Sequence, residues 1–340
     1  MDTDVAGVPD RLEAFVADIE AGPDELARVL DAHGRAIGEL PAEVLARPRW
    51  RFSGMGSSRF AALDAATLLR AAGRDAVAEL ASASAWSPPR DDTLCIAISN
   101  SGRTPEVVAA AAHHRGVSFV LGLTARPDSP LAAGADAVLP LVAHRAEASG
   151  IASLSYRSTV AALSMLIGAE NPALAGTGIA AAVPALGQLL QDRAAWLGDA
   201  VDLLDTGREI HVLGEGSRIG IVEQAALMLR EAPRIAASAW DAGDWLHVGL
   251  YTLFPGDTAL LLTGSAADGE TIATIHARAG RVVAVGPAHP DADLHVPLPD
   301  AALDDPAIRA LVEPAVGELL AAELWRRADA VVLREAPGGE

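Results

Sequence analysis

The 340-residue chain contains no lysine, so all 26 of its basic residues are arginine. That excludes chemistry resting on a lysine amine: Schiff bases with a carbonyl substrate or pyridoxal phosphate, and the phosphate-binding lysines of nucleotide hydrolases and kinases. Cysteine is almost absent. Cys95 stands alone, which excludes an internal disulfide and a thiolate metal cage, and its neighbours Leu94 and Ile96 mark it as a core residue of a strand. No run of about 18 apolar residues occurs anywhere. The acidic opening, residues 1–15, has no apolar stretch of signal-peptide length, so the cytoplasm is the expected compartment. Positive charge is outweighed, 26 basic residues against 45 acidic, for a net −19. Nucleic acid and anionic membranes would be repelled, and neither is expected as a partner.

What is present is enough apolar material, 51% of residues, for large cores, and a length that suggests about two domains. The sequence also repeats itself. The segment Gly54 to Arg70 aligns without a gap on Gly214 to Arg230, 160 residues later. Ser84-Ala-Trp86 recurs as Ser238-Ala-Trp240, and Asp92 to Ile98 as Asp257 to Thr263. Two copies of one domain are therefore expected.

Each copy reads as alternating strand and helix. In the first, an apolar strand near Trp50 to Ser53 runs through a glycine turn into a helix over Ser57 to Ala72 with helical apolar spacing. Asp75 to Leu80 is a second strand. Thr93 to Ser99 is a continuous apolar run, as in a strand buried on both faces of a parallel sheet. Pro105 suits the first turn of a helix reaching about His114, and Val117 to Leu123 and Ala137 to Leu141 supply further strands. This order specifies an α/β class of two tandem three-layer αβα domains with parallel sheets and right-handed crossovers. The expected organisation is a helical arm at 1–46 broken at Gly22-Pro23, a first domain at 47–171, a connecting helix at 172–206, and a second domain at 207–330. A tail follows at 331–340, with a disordered tip.

In an open parallel sheet, ligands bind beyond the carboxyl ends of the strands where strand order reverses. The loops expected there are rich in hydroxyls: Ser57 and Ser58 follow Gly54 and Gly56, and Ser99-Asn100-Ser101-Gly102-Arg103-Thr104 follows the Cys95 strand. Both lead into helix amino termini, whose free amides and partial positive charge hold a phosphate without lysine. A few amides and hydroxyls at short range outweigh distant, screened carboxylates. Taken alone, such a loop serves equally as ordinary helix capping. The corresponding stretch of the second copy, Thr263 to Glu270, carries acidic residues that suit an anion poorly, so one site per chain is expected.

At these residues the chain resembles a double SIS (sugar isomerase) protein with flavodoxin-like domains, similar to the isomerase half of glucosamine-6-phosphate synthase and to stand-alone phosphosugar isomerases, deaminases and deglycases. The resemblance covers nearly the whole chain. It implies that Ser99, Asn100, Ser101 and Thr104 hold a phosphate, joined by the hydroxyls of Ser57 and Ser58, and that Gly150-Ile-Ala-Ser153 lines the sugar. Ala226-Leu-Met-Leu-Arg-Glu231 and Ala242-Gly-Asp-Trp-Leu-His247 resemble the family's catalytic segments. Glu231 would move a proton between adjacent sugar carbons, and His247, reaching in from a neighbouring subunit, would help open the ring. The plain alternatives are a solvated carboxylate ending a helix before Pro233 and a packed histidine in a tryptophan-rich turn.

Where the family has lysines, this chain has Met228, Arg230 and Leu246, and its tail has none. Faithful glucosamine-6-phosphate synthesis is therefore not expected. The implied activity is aldose–ketose isomerisation, or deamination or deglycation of an amino-sugar phosphate, with no cofactor. A non-catalytic sugar-phosphate sensor is the alternative. The resemblance also implies a homodimer. Asp241, Asp244 and His247, three residues apart, could share a helix face as metal ligands, but no metal is expected. Gly54-x-Gly fails as a dinucleotide fingerprint because Arg59 occupies the third glycine position.

Overall fold

The computed structural model describes residues 8–141, 147–174, 178–206 and 208–329. The predicted disordered tail tip lies outside these. An arm of three helices, α1 (Val8–Glu20), α2 (Gly22–Gly38) and α3 (Ala42–Leu45), leads into the first α/β unit. That unit runs β1 (Arg49–Gly54), α4 (Ser57–Ala71), β2 (Asp75–Leu80), β3 (Thr93–Ile98), α5 (Pro105–His114), β4 (Phe119–Thr124), α6 (Pro130–Gly134), β5 (Ala137–Pro140) and α7 (Leu154–Glu170). After α8 (Ala182–Asp192) and α9 (Leu197–Leu204), the second unit runs β6 (Ile210–Gly214), α10 (Ile219–Glu231), β7 (Ala237–Asp241), α11 (Ala242–Trp245), β8 (Thr258–Leu262), α12 (Asp268–Ala277), β9 (Arg281–Val285) and β10 (Leu294–Val296). Three helices end the described residues: α13 (Asp300–Asp304), α14 (Pro306–Val312) and α15 (Pro314–Asp329).

Both sheets are parallel throughout. The first has the order β2-β1-β3-β4-β5 and the second, read from its other edge, β7-β6-β8-β9-β10. The strand order thus reverses between β1 and β3, and again between β6 and β8. All six residues of β3 are buried, Cys95 among them. Helices cover both faces, which is why this strand reads as unbroken apolar sequence. Burial pushes the Cys95 thiol up to about 12, leaving it inert as a nucleophile.

The two units meet through α4 and α10, which occupy the same place in their respective sheets. Gly220 makes the contact possible: a Cβ there would overlap the Phe60 carbonyl and the Asp64 carboxylate. The arm is not loose. The helices α1 and α15 pack together, and α2 lies against α7 and α8.

The structure departs from the sequence-based expectation at three places. The predicted connecting helix is two helices, α8 and α9, joined by a 3-10 turn at Arg193–Ala195. The single helix that the sequence suggests from after Asp305 to about Arg327 divides before Pro314, which opens α15 because a proline lacks the N–H that an interior position requires. The pairing of Ser84–Trp86 with Ser238–Trp240 has no structural counterpart, since the first lies in a loop after β2 and the second within β7.

Candidate functional site

At the first reversal of strand order, a cavity of about 420 Å³ opens beyond the carboxyl ends of β1 and β3. Ser57 and Ser58 line it from the start of α4, and Ser99, Asn100, Ser101 and Thr104 from the loop between β3 and α5. Leu227 and Glu231 reach it from α10 of the second unit. Seven of the nine residues singled out from sequence are thus brought together around one space.

The loop after β3 is held by its own hydroxyls. The Oγ of Ser99 lies 2.9 Å from Thr104 Oγ1 and 3.5 Å from Ser101 Oγ, which also accepts the Arg103 N–H at 3.2 Å. Thr104, at the N-cap of α5, spends its hydroxyl on Ser99 and makes no side-chain bond to the helix. Gly102 turns the loop with φ +61°. A Cβ there would overlap the Ser129 hydroxyl and Thr124 Oγ1, so both conformation and space demand glycine. The N-cap of α4, Gly56, likewise makes no side-chain bond. Two helix amino termini with uncapped first turns therefore line one cavity, adding their partial positive charge to the ring of hydroxyls.

A third helix, α7, also begins at the wall, and here the protein supplies its own anion. Glu147 Oε1 accepts the N–H groups of Ser153 and Ser155, both at 2.8 Å, and Oε2 accepts the Ser155 hydroxyl at 2.8 Å. Glu147 lines the cavity with Gly150, Ala152, Ser155, Tyr156 and Thr159. Burial raises its pKa above the usual carboxylate range, with the three serine bonds pulling the other way. The preceding chain is fastened by α1: Asp18 Oδ2 accepts the Ser149 hydroxyl at 2.9 Å, and Arg11 donates to the Ser149 carbonyl at 3.2 Å. Tyr156 is buried at the cavity wall, and its hydroxyl has no hydrogen-bond partner among the described residues.

Glu231 ends α10 at the rim. Much of its side chain is exposed, yet the surrounding protein raises its pKa, opposed by the charge of Arg11. Glu147 and Glu231 are thus two carboxylates on one cavity. The first was not singled out from sequence; the only available signal was an acidic residue six and eight positions before two serines, whose meaning is tertiary.

Two expected site residues stand elsewhere. Ser153 is fully buried and does not line the cavity; its neighbour two residues on, Ser155, does. His247 is exposed on the surface after α11 and lies outside the cavity walls. Asp241 caps α11, its Oδ1 accepting the Asp244 N–H at 2.8 Å. Among the described residues, no group of three His, Cys, Asp or Glu side chains is placed to hold a metal ion.

The second reversal point, between β6 and β8, is filled. Asp268 Oδ2 accepts the N–H groups of Gly264 and Ser265 at 2.6 and 3.0 Å, and Oδ1 accepts the Ser265 hydroxyl at 2.7 Å. The corresponding amides after β3, those of Asn100 and Ser101, have no acidic side chain on them among the described residues. Behind Asp268, Glu313 joins Arg218 at 2.7 Å and Arg309 at 2.5 Å, and both guanidinium groups also bond the Thr263 carbonyl. Of the acidic residues noted in this stretch, Asp268 therefore acts as an internal ligand of its own loop, whereas Glu270 is exposed.

Residues 46–169 match the family model of the SIS domain, and no curated protein sequence matches the chain. Among solved structures, the chain is similar to tagatose-6-phosphate ketose/aldose isomerase from Escherichia coli, with TM-score 0.78 and 18% identity over 96% of this chain and 95% of that one. It is also similar to the C-terminal domain of glucosamine-fructose-6-phosphate aminotransferase from Francisella tularensis (TM-score 0.73, 17% identity, 96% and 98% covered). A third similar structure is glucosamine-6-phosphate deaminase from Thermotoga maritima (TM-score 0.66, 15% identity, 92% and 94% covered). At such identities the likeness establishes the fold. The chain is a two-domain α/β protein that shares the fold of these solved structures. Its first domain is an SIS domain, and the whole has the double-SIS fold.

Proposed function

We propose that the chain is an enzyme acting on a sugar phosphate, with the phosphate held by Ser99, Asn100, Ser101 and Thr104 and by the amino termini of α4 and α5. The observation carrying this reading is the convergence of two hydroxyl-rich loops of the first domain and Glu231 of the second on a single cavity. An anion there meets neutral donors and helix termini, which suffices without lysine.

In this reading Glu231 is the base. On an open-chain sugar it removes the proton from the carbon beside the carbonyl, giving an enediol, or an enolamine from an amino sugar, and returns the proton to the adjacent carbon. The surrounding protein raises the pKa of Glu231 by partial desolvation, the direction that favours a carboxylate accepting a proton and returning it. With a hydroxyl on the second carbon, transfer of its proton to the first oxygen completes an aldose–ketose isomerisation; with nitrogen in place of either oxygen, the shuttle leaves an imine whose C=N bond water hydrolyses, giving a carbonyl and free ammonia (deamination) or amine (deglycation). A homodimer completes the site: His247 is exposed beside Val248, Tyr251 and Phe254, which are 50%, 71% and 49% exposed, an apolar surface suited to carrying it onto a second copy.

The test is Glu231→Gln, assayed against a panel of hexose, amino-sugar and fructosamine phosphates. Turnover is expected to fall by about a hundredfold or more, while thermal stabilisation by the same ligands persists. Unchanged turnover refutes Glu231 as base. A parent protein that binds sugar phosphates but turns over none of them is a sensor.

A further inference from the structure

His247 and the apolar surface around it are carried by a short stretch of chain, α11 and the 3-10 turn Gly249–Thr252. The interior of the second domain sets how that stretch sits. On β6, His211 is fully buried, and its Nδ1 accepts the indole N–H of Trp245 at 3.2 Å, the two rings meeting edge to face with centroids 6.1 Å apart. Trp245, also fully buried, is the last residue of α11. Gly249 presses on the same indole, where a Cβ would overlap the ring. The intervening residues, His247 among them, are thus pinned at both ends to one tryptophan, and that tryptophan is held by one histidine.

The bond specifies a protonation state. An indole N–H only donates, so Nδ1 must be bare and the imidazole neutral. A second proton would set two donors against each other where water does not reach. The surroundings favour the neutral ring on balance. Burial lowers the His211 pKa, opposed by the charges of Glu209, just before β6, and Asp257, just before β8, and by the Thr252 carbonyl. Asp257 is itself paired with Arg208 at 2.8 Å. The residues beside His211 in register, Ser238 on β7 and Ala259 on β8, are uncharged, as are Ile272 and Ile275, which α12 packs against Trp245. Asp244, the one charged residue of α11, is exposed.

We propose, resting on the reading that His247 meets a second copy, that His211 is a positioning residue for it: the neutral imidazole holds Trp245, and through it the segment 246–252, in the form that joins two copies, and releases that segment on taking up a proton. The sign follows from the depressed pKa. The closed form is undiminished above the ordinary histidine range and is lost progressively as pH falls below it.

The experiment follows the full chain from about pH 8 to about pH 5 by light scattering and by hydrogen exchange of residues 245–254, with each rate taken relative to an unstructured peptide at the same pH. Protection of the segment is expected to fall about tenfold in acid, the scale of one buried hydrogen bond lost, and the dimer to dissociate over the same range. His211→Asn carries an amide oxygen in place of Nδ1 and does not titrate, so it should keep the segment closed and the dimer intact across the range. His211→Phe keeps a ring but offers no acceptor and should be open at both ends of the range, a contrast with Asn that packing alone does not produce. Equal protection of the parent's segment at every pH overturns the proposal, and so does acid opening in His211→Asn that matches the parent's. The parent's profile alone can refute it, so variants that do not fold leave it falsifiable. A parent that is monomeric throughout refutes the second-copy reading, while the exchange profile of the same samples still decides whether His211 holds the segment.

Discussion

Asp64, on α4 of the first domain, accepts the Gly220 N–H at 2.6 Å and so closes the amino terminus of α10 in the second. Ile221 adds a second bond to the same carboxylate at 3.1 Å. The helix that ends in Glu231 is thus anchored at its start by a residue of the opposite domain, and the catalytic geometry proposed here depends on that docking.

Asp64 also gives the domain contact a pH dependence. Burial pushes its carboxyl from the ordinary 3.8 up to about 7, against the two backbone bonds. A carboxyl with a raised folded pKa binds more protons folded than unfolded, so its contribution to stability is fullest below about pH 4 and is lost as pH rises toward 7. Urea unfolding of the parent and of Asp64→Asn across this window should differ by a pH-dependent amount. The parent should lose up to about 1.4 kcal/mol per pH unit relative to the variant at the steepest point. A constant difference would contradict the assignment.

Gly102→Ala should damage the loop more than a left-handed glycine elsewhere does. Strain and overlap together are expected to cost about 1–3 kcal/mol, and sugar-phosphate affinity should fall at least about tenfold because the loop hydroxyls move. Gly116, with φ +79° and open space around it, is the control: Gly116→Ala carries strain without overlap and should leave binding unchanged. Equal affinities for the two variants would argue against the loop as the anion site.

Arg11 should set the acid limb of the reaction. Its charge lowers the pKa of Glu231, so Arg11→Gln should raise it. The limb of kcat/KM, which requires the deprotonated base, is then expected to move to higher pH. Added salt should narrow the gap between parent and variant. A shift to lower pH would contradict the electrostatic account.

Glu313→Gln leaves Arg218 and Arg309 facing each other without the carboxylate that joins them. Removing one member of a buried cluster of this kind costs about 3–5 kcal/mol, read as a lower urea midpoint with unchanged slope. The first-domain cavity contains none of these residues, so sugar-phosphate affinity of the folded variant should match the parent's.

Tyr251→Glu places charge on the exposed apolar surface beside His247. If that surface joins two copies, light scattering should show the parent as a dimer and the variant as a monomer, with turnover lost and phosphate binding retained. A monomeric parent that turns over substrate would overturn the proposed role of His247.

Much of the first domain was legible because its elements carry local signals. The unbroken apolar run of β3, the glycine turn after β1 and Pro105 at the head of α5 all encode their structure within a few residues. The helix α7 carries no such signal: Ser155, Arg157, Ser158 and Thr159 are buried alongside Leu154, Tyr156 and Leu163. A helix enclosed on every side shows no amphipathic period. Glu147 was hidden for a related reason, since its importance lies in meeting the amino terminus of that helix. The hydroxyl loops could be placed at the cavity from topology, whereas the substitution of Ser155 for Ser153 on its wall depends on how the chain turns into α7.

The absence of a side chain at Gly220 reaches beyond packing. With the backbone of α10 pressed against the carbonyl of Phe60, the halves have no slack along their seam, and a hinge there would have to pry apart the floor beneath Glu231. The rate at which a reactant enters should therefore be indifferent to the stiffness of the seam.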